Sequence, residues 1–398
     1  MRFLDVFNEE YNLAEAVQLE KLFKLGTFEP MSNKEHIRWM DTTGQKATPV
    51  MWKYDVKPDR DDTGLINEFR ARLVCLGNLQ KKYFEPHEIY SPVVQSKSSR
   101  VFLAYALAKG MKVRQYDVPT AFLRAAPSRD TVISSIPGYK QTDEEGKPIY
   151  YKLKRNLYGS VESAKCFQDL CDKWLSEKGF KQSTYEPCLY INREKGVIIS
   201  LYVDDLAVAS VDDAAHSWID KELEEKFNIK KQGILNNYLG CRYRQKKDGN
   251  WFIDQEERIS RIASRYNMDK GKEQAPTPYL NAKSNGFDWD LLTKDEEELE
   301  RLFKEHDCHL PSLVGELLYI AKSSRPDILT ATCRIASHVA YASEEVIRAA
   351  KRIVRYLYLT RKKGITLGSA QQGLVTAWVD SSYLGENSDY HGHSRYGY

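Results

Sequence analysis

Two adjacent aspartates, Asp204 and Asp205, interrupt an apolar stretch, LYVDDLAVAS at 201–210, with Val197 to Val203 before them and Leu206 to Val211 after. Two unit charges ~4 Å apart repel by roughly 4 kcal/mol at an effective dielectric near 20, so the pair is not a stability device. Taken alone, it also fits a solvated hairpin turn. A third aspartate, Asp117, ends the strand-like run KVRQYD at 112–117. If the fold brings it to the same turn, either a carboxyl holds a proton or cations sit between the charges. Hard oxygen donors with no histidine or cysteine nearby favour magnesium, with manganese as the substitute ion, over zinc. Two such ions ~3.5–4 Å apart can activate a 3′-hydroxyl and steady a leaving pyrophosphate in an in-line phosphoryl transfer. Asp117, Asp204 and Asp205 are therefore the candidate catalytic and metal-binding residues.

The surrounding pattern says how such a meeting would arise. FRARLVCLG (69–77) reads as a strand with Arg70 and Arg72 on one face, because side chains alternate with period two. A helix is predicted at about 99–109, stopped by Gly110, then the strand 112–117. ESAKCFQDLCDKWLSEKG (162–179) places Phe167, Leu170, Cys171, Trp174 and Leu175 at helical spacing. Strands at 197–203 and 206–211 flank the aspartate turn; a helix at 213–227 and a strand at about 237–244 follow. In order this is β-α-β-β-α-β, the split βαβ arrangement, in which the strand after the turn pairs antiparallel with the first. Asp117 is then expected beside Asp204 and Asp205.

Residues 1–60 read as polar and irregular, with KPDRDDTG (57–64) as a turn or hairpin tip. Beyond 245 the pattern is mainly helical: 256–269, an acidic linker or helix at 288–300, then 313–324 and 344–363. The chain of 398 residues is 42% hydrophobic and 29% charged, an ordinary globular balance, and its net charge of +3 says little about partners. Seven scattered cysteines without a C-x-x-C pair predict free thiols in a reducing intracellular compartment. Neither a secretory signal nor an apolar run of bilayer length is visible, so no membrane partner is expected. The HDCH cluster (His306, Cys308, His309) lacks a second ligand pair at finger spacing and is not read as a zinc site.

YVDD after apolar residues resembles the catalytic box of reverse transcriptases. More specifically, FRARLVCLGNLQ (69–80), YSPVVQSKSSR (90–100), YDVPTAFL (116–123), LKRNLYGSVES (153–163) and LYVDDLAVAS stand in the order and spacing of the copia-type LTR retrotransposon polyprotein. NNYLGCRY (236–243), LVGELLYIAKSSRPDI (313–328) and RIVRYLYLT (352–360) extend the likeness over roughly residues 20 to 398. The resemblance implies an α+β right hand: fingers, a ferredoxin-like palm of split βαβ topology, and a helical thumb and connection. The divisions expected are 1–60 (lead and start of the fingers), 61–235 (fingers and palm), 236–370 (thumb and connection) and 371–398 (start of an RNase H-like domain).

The resemblance further implies an RNA-directed DNA polymerase, with an RNA template, a DNA primer duplex and dNTPs as partners alongside other polyprotein parts such as integrase and the RNase H remainder. By the same likeness it would work in cytoplasmic particles and in the nucleus. Asp117 and Asp204 match the residues that bridge both magnesium ions, with Asp205 a more peripheral ligand or charge partner. Arg70 and Arg72 fall where the incoming triphosphate is held, the choice between them open. Thr120 and Ala121 match positions whose amides face phosphate. Phe122 matches the aromatic that crowds the sugar 2′ carbon, core packing being its competing role. Tyr158 and Gly159 match the turn beneath the nascent base pair. The stripe Arg348, Lys351, Arg352 and Arg355 would track a duplex backbone, a solvated face being the alternative.

Three features depart from the family. Glu162 stands where a neutral glutamine is usual and would oppose a nearby triphosphate, and Pro119 removes a backbone donor. Asp380 matches the first acidic position of RNase H, but the further carboxylates do not appear, so nuclease activity is not expected. These departures motivate a second reading, a catalytically inactive nucleic-acid-binding or scaffolding remnant of the same polyprotein.

Overall fold

In the computed structural model, which describes residues 3–58, 66–139, 141–279, 292–368, 381–382 and 395–396, the apolar runs around the aspartate pair form strands Val197–Tyr202 and Asp205–Ser210. Val197, Ile199 and Leu201 are buried, and so is every residue from Leu206 to Ser210. Burial on both faces explains why these strands read as continuous apolar runs and not as alternations. They belong to a six-stranded sheet of order Lys230–Ile234, Lys112–Asp117, Asp205–Ser210, Val197–Tyr202, Leu189–Asn192, Lys181–Gln182. The strand after the turn therefore neighbours the strand that ends in Asp117, as the split βαβ reading requires.

The closing strand is Lys230–Ile234, not 237–244. All five of its residues are exposed, so no apolar pattern announces it. Lysines on such a strand blunt the edge it presents. The segment expected to close the sheet instead forms Asn237–Tyr238 and Cys241–Gln245, which join Trp251–Asp254 and Ile365–Leu367 in a separate four-stranded sheet.

The chain divides into two compact units. The first comprises Met1–Val94, Tyr116–Leu206 and His216–Lys231; the second comprises Gln95–Gln115, Ala207–Ala215 and Gln232–Tyr398. These cut across the linear divisions expected from the sequence, since each unit is assembled from separate stretches.

In the first unit, residues expected to be irregular form helices Phe3–Lys24 and Asn33–Thr43 and strands Phe28–Met31 and Val50–Pro58. Leu19 and Leu22 of the first helix bury against Val50, Trp52, Ala71 and Leu73 in one apolar cluster. Ser32 caps the second helix in a reciprocal box with Glu35, the S-x-x-E signal in SNKE. Val50–Pro58 pairs antiparallel with Ile66–Cys75, from Val50 opposite Cys75 to Pro58 opposite Ile66; of the turn expected at 57–64, residues 59–64 lie outside the described residues. Helix Ser163–Glu177 buries Phe167, Cys171, Trp174 and Leu175. The Phe227 ring meets Phe167 and Trp174 edge-on, with centroids 6.2 and 5.0 Å apart.

The second unit is mainly helical, with a core drawn from Glu256–Arg265, Leu310–Ser323, Leu329–Ala336 and Glu344–Leu359. The helix expected at 256–269 stops at Arg265, and Asn267 takes a left-handed backbone (φ 56°) that ends it. All seven cysteines are free thiols. Among the described residues no helix is long and apolar enough to cross a membrane.

Candidate active site

Asp117 ends its strand, and the next amide, that of Val118, donates to the carbonyl oxygen of Asp204 at 2.8 Å. This backbone bond extends the pairing of the two strands to the aspartate-bearing turn. The Asp204 side chain reaches solvent on its open side. The protein packed around it nonetheless raises its pKa, and the negative charge of Asp117 adds to the rise against an opposing backbone hydrogen bond. Asp205 opens the following strand and is half-buried.

Among the described residues no set of three or more histidine, cysteine, aspartate or glutamate side chains is arranged to hold a metal ion. What remains of the expected crowd of three carboxylates is Asp117 and Asp204, whose charges act on one another, with Asp205 next along the chain. That donor set still suits magnesium, which is usually held by one or two carboxylates together with waters and substrate phosphates, not by an all-protein cage. Two like charges held in one field by the backbone form a place where a cation relieves repulsion.

The backbone around the pair is strained. Val203, the residue before Asp204, has φ 54°, and Thr120, three residues after Asp117, has φ 57°. Left-handed backbone is a true outlier for a β-branched residue, costing about 1–3 kcal/mol, and persists only where the surroundings over-determine it.

Of the two arginines, Arg70 is held by Glu68, its Nε and Nη2 lying 3.1 and 3.0 Å from one carboxylate oxygen. Arg72 makes a looser pair with Asp55 at 3.6 Å. Burial raises the pKa of the Tyr158 hydroxyl; the charge of Arg72 pulls it down, and those of Asp204 and Asp117 push it further up. Arg72, Tyr158 and the aspartate pair thus share one electrostatic neighbourhood.

After Pro119, residues Ala121–Arg124 form a single 3-10 turn. The Thr120 hydroxyl donates to the Pro119 carbonyl at 2.6 Å. The first amides of such a turn have no partner within it, which leaves those of Ala121 and Phe122 outside its own ladder. The Phe122 ring stands edge-on to Tyr158, centroids 5.6 Å apart at 73°.

The Tyr158–Gly159 turn is locked to the arginine strand by close backbone contact. The Cys75 amide donates to the Tyr158 carbonyl at 2.7 Å. A Cβ on Gly159 (φ +81°) would lie 2.3 Å from the Cys75 carbonyl oxygen, and one on Gly77 would lie 2.1 Å from the Gly159 carbonyl oxygen. Only glycine fits either place.

Two residues that sequence reasoning missed or misread complete the support. Buried Gln80 accepts from the Val161 amide at 3.0 Å and donates to the Thr48 hydroxyl at 3.0 Å, pinning the segment after the turn. Nothing in the sequence marks it. Glu162 is 2% exposed; its carboxylate accepts from the Ser128 amide at 3.0 Å and from the Cys166 thiol at 3.4 Å. It stands immediately before helix Ser163–Glu177, where the helix dipole favours negative charge. Local groups already answer that charge.

The basic stripe is corrected. Arg355 is 6% exposed, and its guanidinium donates to the carbonyls of Met268, Lys270, Gly271 and Glu273 at 2.7–3.3 Å. Arg352 donates to the Tyr279 carbonyl and Lys351 to that of His306. Arg348 alone of the four is largely exposed, loosely paired with Glu344 at 3.8 Å. The helix buries Val346, Ile347, Ala350, Ile353 and Val354. The basic residues flank that face, so three of the four tie down neighbouring chain. Asp380 lies outside the described residues.

A profile described as reverse transcriptase (RNA-dependent DNA polymerase) matches residues 39–281. The chain is 30% identical over 85% of its length to the retrovirus-related Pol polyprotein from transposon RE1 of Arabidopsis thaliana, and covers 22% of that protein. It is 26% identical over 95% of its length to the Pol polyprotein from transposon TNT 1-94 of Nicotiana tabacum, covering 28% of it. A putative transposon Ty5-1 protein of Saccharomyces cerevisiae shares 26% identity over 67% of the chain and 83% of its own length. The chain belongs to the reverse transcriptase family, whose members have a mixed α/β catalytic fold and generally use divalent metals. The region it represents is that of the copia-type transposon Pol polyproteins, and it spans about a quarter of the two plant polyproteins.

Proposed function

We propose that the chain is the polymerase portion of a copia-type polyprotein and adds dNTPs to a primer 3′-hydroxyl on an RNA template. The observation that carries this reading is the Asp117–Asp204 pair, held together by the Val118–Asp204 backbone bond. The order of the six-stranded sheet supports a ferredoxin-like palm, the hairpin Val50–Cys75 supports fingers, and the helical core from Ile259 to Leu357 supports a thumb and connection.

Asp117 and Asp204, with Asp205 as the peripheral ligand, would hold two magnesium ions. When bound, the ions lower the charge barrier for attack on the α-phosphate and steady the departing pyrophosphate. Arg72 offers its planar fork to the triphosphate, as its looser pairing allows. Arg70 is left to its glutamate. The amides of Thr120 and Ala121 would face phosphate, and the Phe122 ring would crowd the sugar. The RNA template, the DNA primer and the polyprotein's integrase and RNase H parts are the partners this activity requires. Seven free cysteines support a reducing compartment for it.

Primer extension on an RNA template with magnesium is the test. Extension by the wild type that vanishes in Asp204→Asn upholds the reading. Duplex binding without any extension would replace it with the inactive remnant.

A further inference from the structure

Phe122 and Tyr158 are both half-buried, so each ring keeps a surface toward solvent while its other side is packed. Their edge-on contact, at 5.6 Å and 73°, is the preferred arrangement for two aromatic quadrupoles. The Tyr158 backbone has little freedom. Its carbonyl is held by Cys75, its neighbour Gly159 is wedged against strand Ile66–Cys75, and Ser163 Oγ bonds the Leu157 carbonyl at 2.8 Å. Phe122 has no such anchor beyond its short turn. The better-fixed ring therefore sets the position of the other.

We propose that Tyr158 determines sugar specificity: its ring backs Phe122, and the two form one wall that excludes a 2′-hydroxyl from the incoming nucleotide. The hydroxyl of a ribonucleotide pressed against two ring surfaces would be buried without a partner. With Tyr158 reduced to a small side chain, Phe122 turns into the vacated space and the hydroxyl fits. The neighbourhood agrees, because the charges of Arg72, Asp204 and Asp117 all reach Tyr158. Tyr158 acts through Phe122 and is a positioning residue. The proposal rests on the polymerase reading above.

The test is single-nucleotide incorporation of dATP and of ATP on an RNA template, by the wild type, Tyr158→Phe, Tyr158→Ala, Phe122→Ala and the double alanine variant. Tyr158→Ala should lower the dATP-to-ATP ratio of kcat/KM about tenfold, mainly by lowering KM for ATP, within the range a pocket contact of this size controls. Tyr158→Phe keeps the ring and should stay within about twofold of the wild type. The double variant should match the stronger single change, not their product, since the two rings act as a unit. Equal losses on both nucleotides with an unchanged ratio overturn the proposal. If Tyr158→Ala does not fold, Tyr158→Leu carries the same measurement. If the wild type extends no primer, the polymerase reading fails on its own, and calorimetric titration of the full chain with dATP and ATP decides this one. A dATP preference erased by the Tyr158 change keeps it, and equal affinities overturn it.

Discussion

The Val118 amide and the Asp204 carbonyl are bonded at 2.8 Å, a main-chain link between the two aspartate-bearing segments that does not involve either carboxylate. A substitution that changes only a carboxylate should therefore leave the geometry standing.

Asp204→Asn is expected to lower primer extension by at least about 10²–10³-fold, the size of losing one preorganised charge-stabilising group. The folded state should be as stable as the wild type or more so, because the amide removes repulsion from Asp117. Thermal melting alongside the assay checks both halves. A large drop in Tm with the lost activity would mean the carboxylate serves the fold.

Magnesium or manganese should raise the Tm of the wild type in a concentration-dependent way, and chelation should reverse it. Binding to the native state alone contributes about 2.7 kcal/mol at a hundredfold excess over Kd. Asp117→Asn and Asp204→Asn should each lose this response. A shift that survives in both variants would place the cation elsewhere.

Gly159→Ala and Gly77→Ala should each destabilise the first unit by about 3 kcal/mol or more, since the added carbon meets fixed backbone at 2.3 and 2.1 Å. Gly110→Ala is the control: its φ is also positive, at +63°, but nothing lies within 4 Å. It should cost only about 1 kcal/mol. Urea unfolding separates the three.

Arg355→Ala should destabilise the second unit by about 2–4 kcal/mol, because four carbonyls of the 268–273 segment lose their shared donor. Arg348→Ala should stay within about 0.5 kcal/mol. If the order of the two is reversed, the assignment of Arg355 to the core is wrong.

His36 gives the fold an acid sensitivity. It stacks on Tyr150 with centroids 3.6 Å apart, and burial lowers its pKa from the ordinary 6.5. Between the depressed folded value and 6.5 the unfolded chain binds the extra proton, so stability falls as pH drops through this window and returns above it. His36→Phe keeps the stack and should flatten the loss between about pH 7.5 and 5.5. Denaturant midpoints at both pH values decide it.

What could be read in advance followed from how each residue is used. Strand Lys112–Asp117 and helix Asp213–Phe227 show their burial periodicity openly, Ile219, Leu223 and Phe227 all lying inside. The Lys230–Ile234 strand buries nothing, so its lysines and glycine look like loop. Helix Phe3–Lys24 was missed among its many charges, although Leu19 and Leu22 are core residues. At the site, the adjacent charges of Asp204 and Asp205 drew attention to the turn, and the split βαβ order brought Asp117 to it. The choice of Arg72 over Arg70 needed their neighbours Asp55 and Glu68, and the burial of Arg355 needed the carbonyls of a distant loop. Gln80 acts through partners far along the chain and leaves no local trace.

The left-handed Val203 has one more effect. A valine held where glycine would be at ease is like a bent spring, kept in shape by the strands on either side. Warming that loosens those strands lets this corner relax first, and Asp204 moves with it. Catalytic competence should then fade at temperatures where the rest of the protein still looks intact.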